Sequence, residues 1–275
     1  MIRPSRAGRA VRLSLILLLA AFALFPLLWM VSVSFMSPGE ASRFPPPLLP
    51  AEPSLSAYRA LFETTGIARY FLNSLFVATI GTLLSLMFNA TAGYAFAKLR
   101  FKGRDRIFQS LVAALVIPAQ VTMLPLFLML KEIGLINSFA GVLVPVATSI
   151  FGIFLVRQYA LSIPDEMLEA ARVDGAGEGR IFLQIVVPVL TPILITLALF
   201  TFLATWNDFM WPLIILTDQD NYTLPVALAA LSREHVQDNE LMMAGSVLTI
   251  LPVLLLFLVL QRYYLQGLLA GSVKG

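Results

Sequence analysis

Apolar residues in this chain neither alternate with polar ones nor keep to a helical stripe. They run on almost without interruption, in six stretches: approximately Leu13–Phe35, Ser74–Ala97, Ile107–Leu130, Phe139–Val156, Ile185–Thr205 and Ala244–Leu260. None of the six contains Asp, Glu, Lys or Arg. A helix crossing the hydrocarbon of a bilayer needs roughly 20 predominantly apolar residues. The fourth stretch is short by that measure. A membrane barrel would instead show segments of about ten residues with alternating hydrophobicity. The pattern predicts an all-α, polytopic membrane helix bundle with six transmembrane helices.

The polar segments divide the chain further. Residues 1–72 hold an N-terminal segment, the first span and a proline-rich loop with Pro38, Pro45, Pro46, Pro47, Pro50 and Pro53. Such a loop is expected to be extended and stiff, with a short helix around Leu55–Phe62. Residues 73–266 hold the other five spans and a polar loop at about 162–182, and residues 267–275 form a C-terminal tail. Arg3, Arg6, Arg9 and Arg12 ahead of the first run also suit a signal peptide. That run exceeds 20 residues and lacks a small-residue cleavage site, so a retained helix is expected.

Composition supports the membrane reading. Of 275 residues, 59% are hydrophobic and 13% charged, with a mean hydropathy of +0.85. A soluble domain is about 45–50% apolar and about 25% charged. A water-soluble fold this apolar would expose large hydrophobic patches, which excludes a soluble enzyme, a disordered regulator and a fibrous protein. There is no cysteine and one histidine, His235. Disulfides, thiol chemistry and histidine-pair metal sites are therefore excluded.

The charges also orient the bundle. Fourteen of the 19 Lys and Arg residues fall in the N-terminal segment, the loop from Lys98 to Arg106, the loop holding Arg157, Arg172 and Arg180, and the tail. The remaining five, Arg43, Arg59, Arg69, Lys131 and Arg233, lie on the other side. By the positive-inside rule both termini are cytoplasmic. No phosphate-cradling P-loop occurs in the chain. The spans also lack the ionisable residues that ion-coupled transport needs, which weighs against a secondary solute transporter. Either a partner drives this bundle, or it is a structural scaffold.

The cytoplasmic loop Ser162–Phe182 is the informative stretch. Pro164, Asp165 and Glu166 suit a first helical turn, and Ser162 with Asp165 forms a candidate capping pair. Gly175 is expected to stop the helix after Asp174, with a second helix starting near Glu178 and running into span five. Met167, Leu168 and Ala171, with Ala170 beside them, make a short apolar ridge outside the bilayer. Such a ridge fits a groove in a partner protein or lies on lipid headgroups. The acidic first turn counts against an anionic leaflet.

Glu169-Ala170-Ala171, Asp174-Gly175-Ala176, Phe182 and Pro188 together resemble the EAA loop of ATP-binding-cassette importer permeases. Asn73-Ser74-Leu75, Ala92-Gly93-Tyr94-Ala95-Phe96-Ala97, Gly134-Leu135-Ile136-Asn137 and Trp206-Asn207-Asp208-Phe209-Met210-Trp211-Pro212 are similar to the carbohydrate branch of that family, the maltose and lactose type. The resemblance spans roughly residues 10–275. It implies a binding-protein-dependent permease of a prokaryotic inner membrane, not itself an enzyme, for a sugar or related polyol. It implies four partners: a second permease subunit, a dimer of ATP-binding subunits, an extracytoplasmic solute-binding protein and the lipid membrane. No nucleic acid is implied. ATP and Mg would be bound by the partner ATPase, with no cofactor on this chain. Met167, Leu168, Glu169, Ala170, Ala171, Asp174 and Gly175 would form the coupling helix that docks on the ATPase. Candidate lining of the pathway is Asn89, Gln120, Trp206, Asn207 and Asp208. For the tryptophans an interfacial aromatic belt explains the pattern as well, and for Asn89 and Gln120 helix-to-helix bonding does.

Overall fold

A computed structural model describes residues 6–234 and 238–272; His235 lies outside them, as do the last three residues of the tail. The described residues form thirteen α-helices and no strand. Four are long and apolar enough to span a membrane: α1 (Arg6–Val33), α3 (Ile67–Lys98), α10 (Val187–Trp206, prolonged upstream to Glu178) and α13 (Asn239–Ser272). These coincide with expected spans one, two, five and six. The short helix of the outer loop is α2 (Ser56–Thr64).

The third and fourth stretches are not straight spans. The third is broken into α4 (Arg104–Ala114) and α5 (Ala119–Glu132), which meet at 107°. Pro118 sits at the corner with extended backbone. It lacks an N–H to continue the ladder, and its ring disfavours helical backbone in the residue before it. The fourth stretch splits into α6 (Phe139–Leu143) and α7 (Ile150–Ala160), with Pro145 in the non-helical link between them.

The chain forms two compact units. One combines Met1–Ala68 with Ala227–Pro252. Its proline-rich loop is not a free strut, because it is bonded back onto the end of α1. Trp29 Nε1 donates to Pro47 O (3.2 Å) and Ser32 Oγ to Leu48 O (2.6 Å). Buried Glu40 accepts from the N–H groups of Ser37 and Ala51, and buried Glu240 accepts from Ala41 N at 2.8 Å.

The other unit combines Arg69–Val226 with Val253–Gly275 and contains the loop and the broken fourth stretch. Its first core gathers Tyr94 and Ala97 of α3, Val156 and Ala160 of α7, Ile163, Leu168, Ile181 and Leu190. A second core packs Val77, Leu130, Val142 and Leu143 against Trp211 and Ile215 of the short helix α11 (Met210–Ile215). Trp211 Nε1 donates to Gly141 O (3.2 Å), which seats α11 against α6.

Candidate functional site: a welded loop and an open cleft

The loop after α7 folds as its local chemistry predicts. Helix α8 spans Asp165–Val173, with both acidic residues in its first turn and Arg172 in its last, each opposing the helix dipole. Gly175 follows with φ +83°, the left-handed region that side chains disfavour. Gly175 N donates to Arg172 O and Ala176 N donates to Ala171 O, both at 3.0 Å. This is the paired-bond helix stop that a glycine at this position permits. A new helical turn, α9 (Glu178–Ile181), then leads through a π-helical turn at Phe182–Val186 into α10. The expected cap from Ser162 does not form. Ser162 Oγ donates instead to Tyr159 O (2.7 Å), and Pro164 takes the cap position without a side-chain bond.

The expected ridge is divided between two faces of α8. Leu168 is only 1% exposed and packs into the first core, with Ala171 half-buried beside it. The outward apolar face is Met167, Ala170 and Val173, flanked by exposed Glu166 and Glu169. Val173 is 87% exposed, and the sequence reading missed it. Its spacing of three from Ala170 and six from Met167 was the available sign. Asp174 and Gly175 are exposed beyond it.

Both ends of α8 are tied to α3. At the start, Lys98 Nζ donates to Ile163 O and to Asp165 Oδ1 (2.7 Å), with the Lys98 side chain only 6% exposed. The hydrogen bond and the positive charge of Lys98 hold the Asp165 carboxyl below its ordinary range. At the far end Arg172 forks onto Glu178, Nε to Oε1 at 2.6 Å and a second nitrogen to Oε2 at 3.3 Å. Tyr94 OH donates to the same Oε2 at 3.2 Å. Tyr94 and Lys98 lie one turn apart on α3. One helix end therefore holds the entrance of α8 and, through Glu178, its exit.

The pathway candidates scatter. Asn89 is fully buried and its amide is bonded at both atoms: Nδ2 donates to Ser85 Oγ (2.7 Å), and Oδ1 accepts from Ser149 N (3.0 Å) and Thr148 Oγ1 (3.2 Å). It satisfies backbone freed where the fourth stretch breaks, as buried irregular backbone in a membrane requires. Gly152 lies so close that an added Cβ would stand 2.7 Å from Asn89 Nδ2. Gln120 is exposed at the start of α5. Trp206 is 1% exposed, edge-on to Phe71 and stacked on Phe202. Asn207 is exposed, and its Nδ2 donates to Leu203 O at 2.8 Å. Asp208 lines a cleft. That cleft, about 320 Å³, lies between α3, the 144–149 break and α10. Its other polar groups, Ser85, Ser149, Thr201 and Thr205, were not singled out from the sequence.

The family model described as "Binding-protein-dependent transport system inner membrane component" matches residues 89–269. The chain is 37% identical to the arabinooligosaccharides transport system permease protein AraQ of Halalkalibacterium halodurans, covering 94% of this chain and 93% of that protein. It is 33% identical to the lactose transport system permease protein LacG of Rhizobium radiobacter, over 96% of each. Its fold superposes with a TM-score of 0.85, at 26% identity, on a chain from the crystal structure of a bacterial ABC transporter involved in the import of the acidic polysaccharide alginate. That match covers 96% of this chain and 100% of the other.

Proposed function

The chain belongs to the family of binding-protein-dependent transport system inner membrane components, and from that premise we propose how it works. Members are multi-pass membrane permease subunits of ATP-binding-cassette importers, not enzymes. This subunit imports a sugar or related polyol delivered by an extracytoplasmic binding protein, forming half of the pathway with a second permease. A dimer of ATP-binding subunits holds ATP and Mg and supplies the energy. Both termini face the cytoplasm, in keeping with the Lys and Arg distribution. Residues 73–266 form the transport core.

The observation that carries this reading is the construction of α8. Its inner face is anchored by Leu168 in the cytoplasmic core, and its ends are held by Lys98 and by the Arg172–Glu178 pair. Its outer face carries Met167, Ala170 and Val173 with Glu166 and Glu169 and is left to solvent. A helix on a headgroup surface has no need of this bracing. A helix that receives force from an ATPase does, because displacement of α8 then moves α3 and α10 with it. Glu169 anchors the contact through a charge-assisted hydrogen bond worth about 1.5–3 kcal/mol when well formed.

Glu169→Lys reverses that attraction without touching a span. It is expected to insert at wild-type levels, to lose uptake by tenfold or more by the arithmetic of about 1.4 kcal/mol per factor of ten, and to co-purify less ATPase. The test is a pull-down alongside uptake in membranes of matched expression. Full ATPase recovery with normal uptake would overturn the docking assignment. Uptake that persists with no ATPase bound would point instead to a secondary transporter.

A further inference from the structure

The cleft beside the broken fourth stretch has a composition that the membrane setting does not explain. Inside hydrocarbon, non-helical backbone is tolerated where it is buried in protein or lines a water-filled cavity. The break does both. Asn89 seals its inner side, while Pro145, Val146 and Ser149 form one wall of the cleft. The facing walls bring Ser85 from the middle of α3 and Thr201 and Thr205 from α10, and Asp208 stands at the end of α10. The Ser85 and Thr201 hydroxyls lie 3.3 Å apart. Leu197, Ala204 and two phenyl rings, Phe151 at 49% and Phe200 at 44% exposure, complete the lining. Interrupted helices that present a polar patch in this way are where transporter folds place their solute sites.

The lining also has a sign. It contains one carboxylate, Asp208, and no Lys, Arg or His. Hydroxyls and a carboxylate bond the hydroxyl groups of a polyol, and phenyl faces take its C–H surface. Asp208 Oδ1 accepts from Trp211 N at 3.4 Å, and a phosphate or uronate would still meet a carboxylate with no cationic side chain in the lining. We propose that this cleft is the subunit's own solute-contact site, selecting uncharged polyhydroxyl solutes against anionic ones. The proposal rests on the importer reading and sharpens it, separating this chain from the structurally similar importer of an acidic polysaccharide.

The chain has no cysteine, so one introduced thiol is the only thiol in the subunit. Thr201→Cys and Thr205→Cys each place it in the cleft. Leu83→Cys places it on the 56% exposed, apolar side of α3. In membranes holding the assembled transporter, each variant is treated with cationic and anionic methanethiosulfonate reagents, and total thiol is measured after denaturation. The two cleft thiols are expected to react and the Leu83→Cys thiol to stay inert. After correction for intrinsic reactivity, the cationic reagent should react faster by about tenfold, the scale on which a single-signed cleft concentrates counter-ions. Asp208→Asn in the Thr205→Cys background should erase that preference. Cleft thiols as inert as Leu83→Cys, at rest and during ATP turnover, would overturn the site. Equal rates for both charges would overturn its selectivity. Labelling needs no ATPase docking, so either failure is separable from failure of the Glu169→Lys test.

Discussion

Two regions of the larger compact unit are built on opposite principles. Around α8 the links between α3, α8 and α9 are closed: Lys98 to Asp165, Arg172 to Glu178, Tyr94 to Glu178, and Leu168 locked in the core between them. In the membrane interior the fourth stretch is interrupted, and its hydroxyls and one carboxylate face an open cleft. The same helices, α3 and α10, serve both regions. Closed contacts let a displacement pass undiminished, because a packed core is bistable rather than continuously deformable. Open contacts leave room for solute and water to enter. The contrast separates a part that transmits from a part that yields.

Removing the core anchor should break this contrast most strongly. Leu168→Ala leaves a cavity at a site 1% exposed and is expected to cost about 2–5 kcal/mol. The check is a drop in the melting temperature of the purified complex, with uptake falling further than ATP hydrolysis as α8 loosens from α3. Asn89→Leu attacks the other region. It strips the partner from Ser149 N and Thr148 Oγ1 and should cost about 1–3 kcal/mol as buried polar groups are orphaned. Here the expected signature is lower stability with ATPase recovery in a pull-down unchanged.

Gly175→Ala is a finer probe. Nothing lies within 4 Å of a Cβ added there, so the cost is the left-handed backbone alone, about 1–2 kcal/mol. A larger loss of ATPase recovery than of stability would show that the turn positions the docking face. Lys98→Met should have the smallest effect on stability at neutral pH, since Asp165 is largely exposed. Its effect is best read against pH. Lys98 lowers the Asp165 pKa below its ordinary 3.8, so the pair's contribution is present above that value and fades as pH falls through the lowered one. In Lys98→Met the acid-side decline in melting temperature between those two values should disappear. A decline identical to wild type would remove Lys98 from the brace.

The sequence by itself determined the solvent, the fold class and the local structure of the loop after α7. Uninterrupted Leu, Val, Ile and Phe dictate spanning helices, because hydrocarbon offers the backbone no other partner. The start of α8 at Asp165 and its stop at Gly175 were legible because dipole and backbone-handedness effects act within one turn. How sharply the third and fourth stretches break was not legible, because apolarity reports depth in the bilayer, not continuity. Whether a proline bends a helix or ends it depends on who satisfies the freed groups, and for Ser149 that partner is Asn89, 60 residues away. The same separation hid the division of the α8 ridge. Leu168 and Met167 are equally apolar neighbours, and only the meeting of α3, α7 and α9 decides which one is inside. The cleft was the least legible of all, since Ser85, Ser149 and Thr201 are unremarkable singly and acquire a function only where three distant segments bring them to one surface.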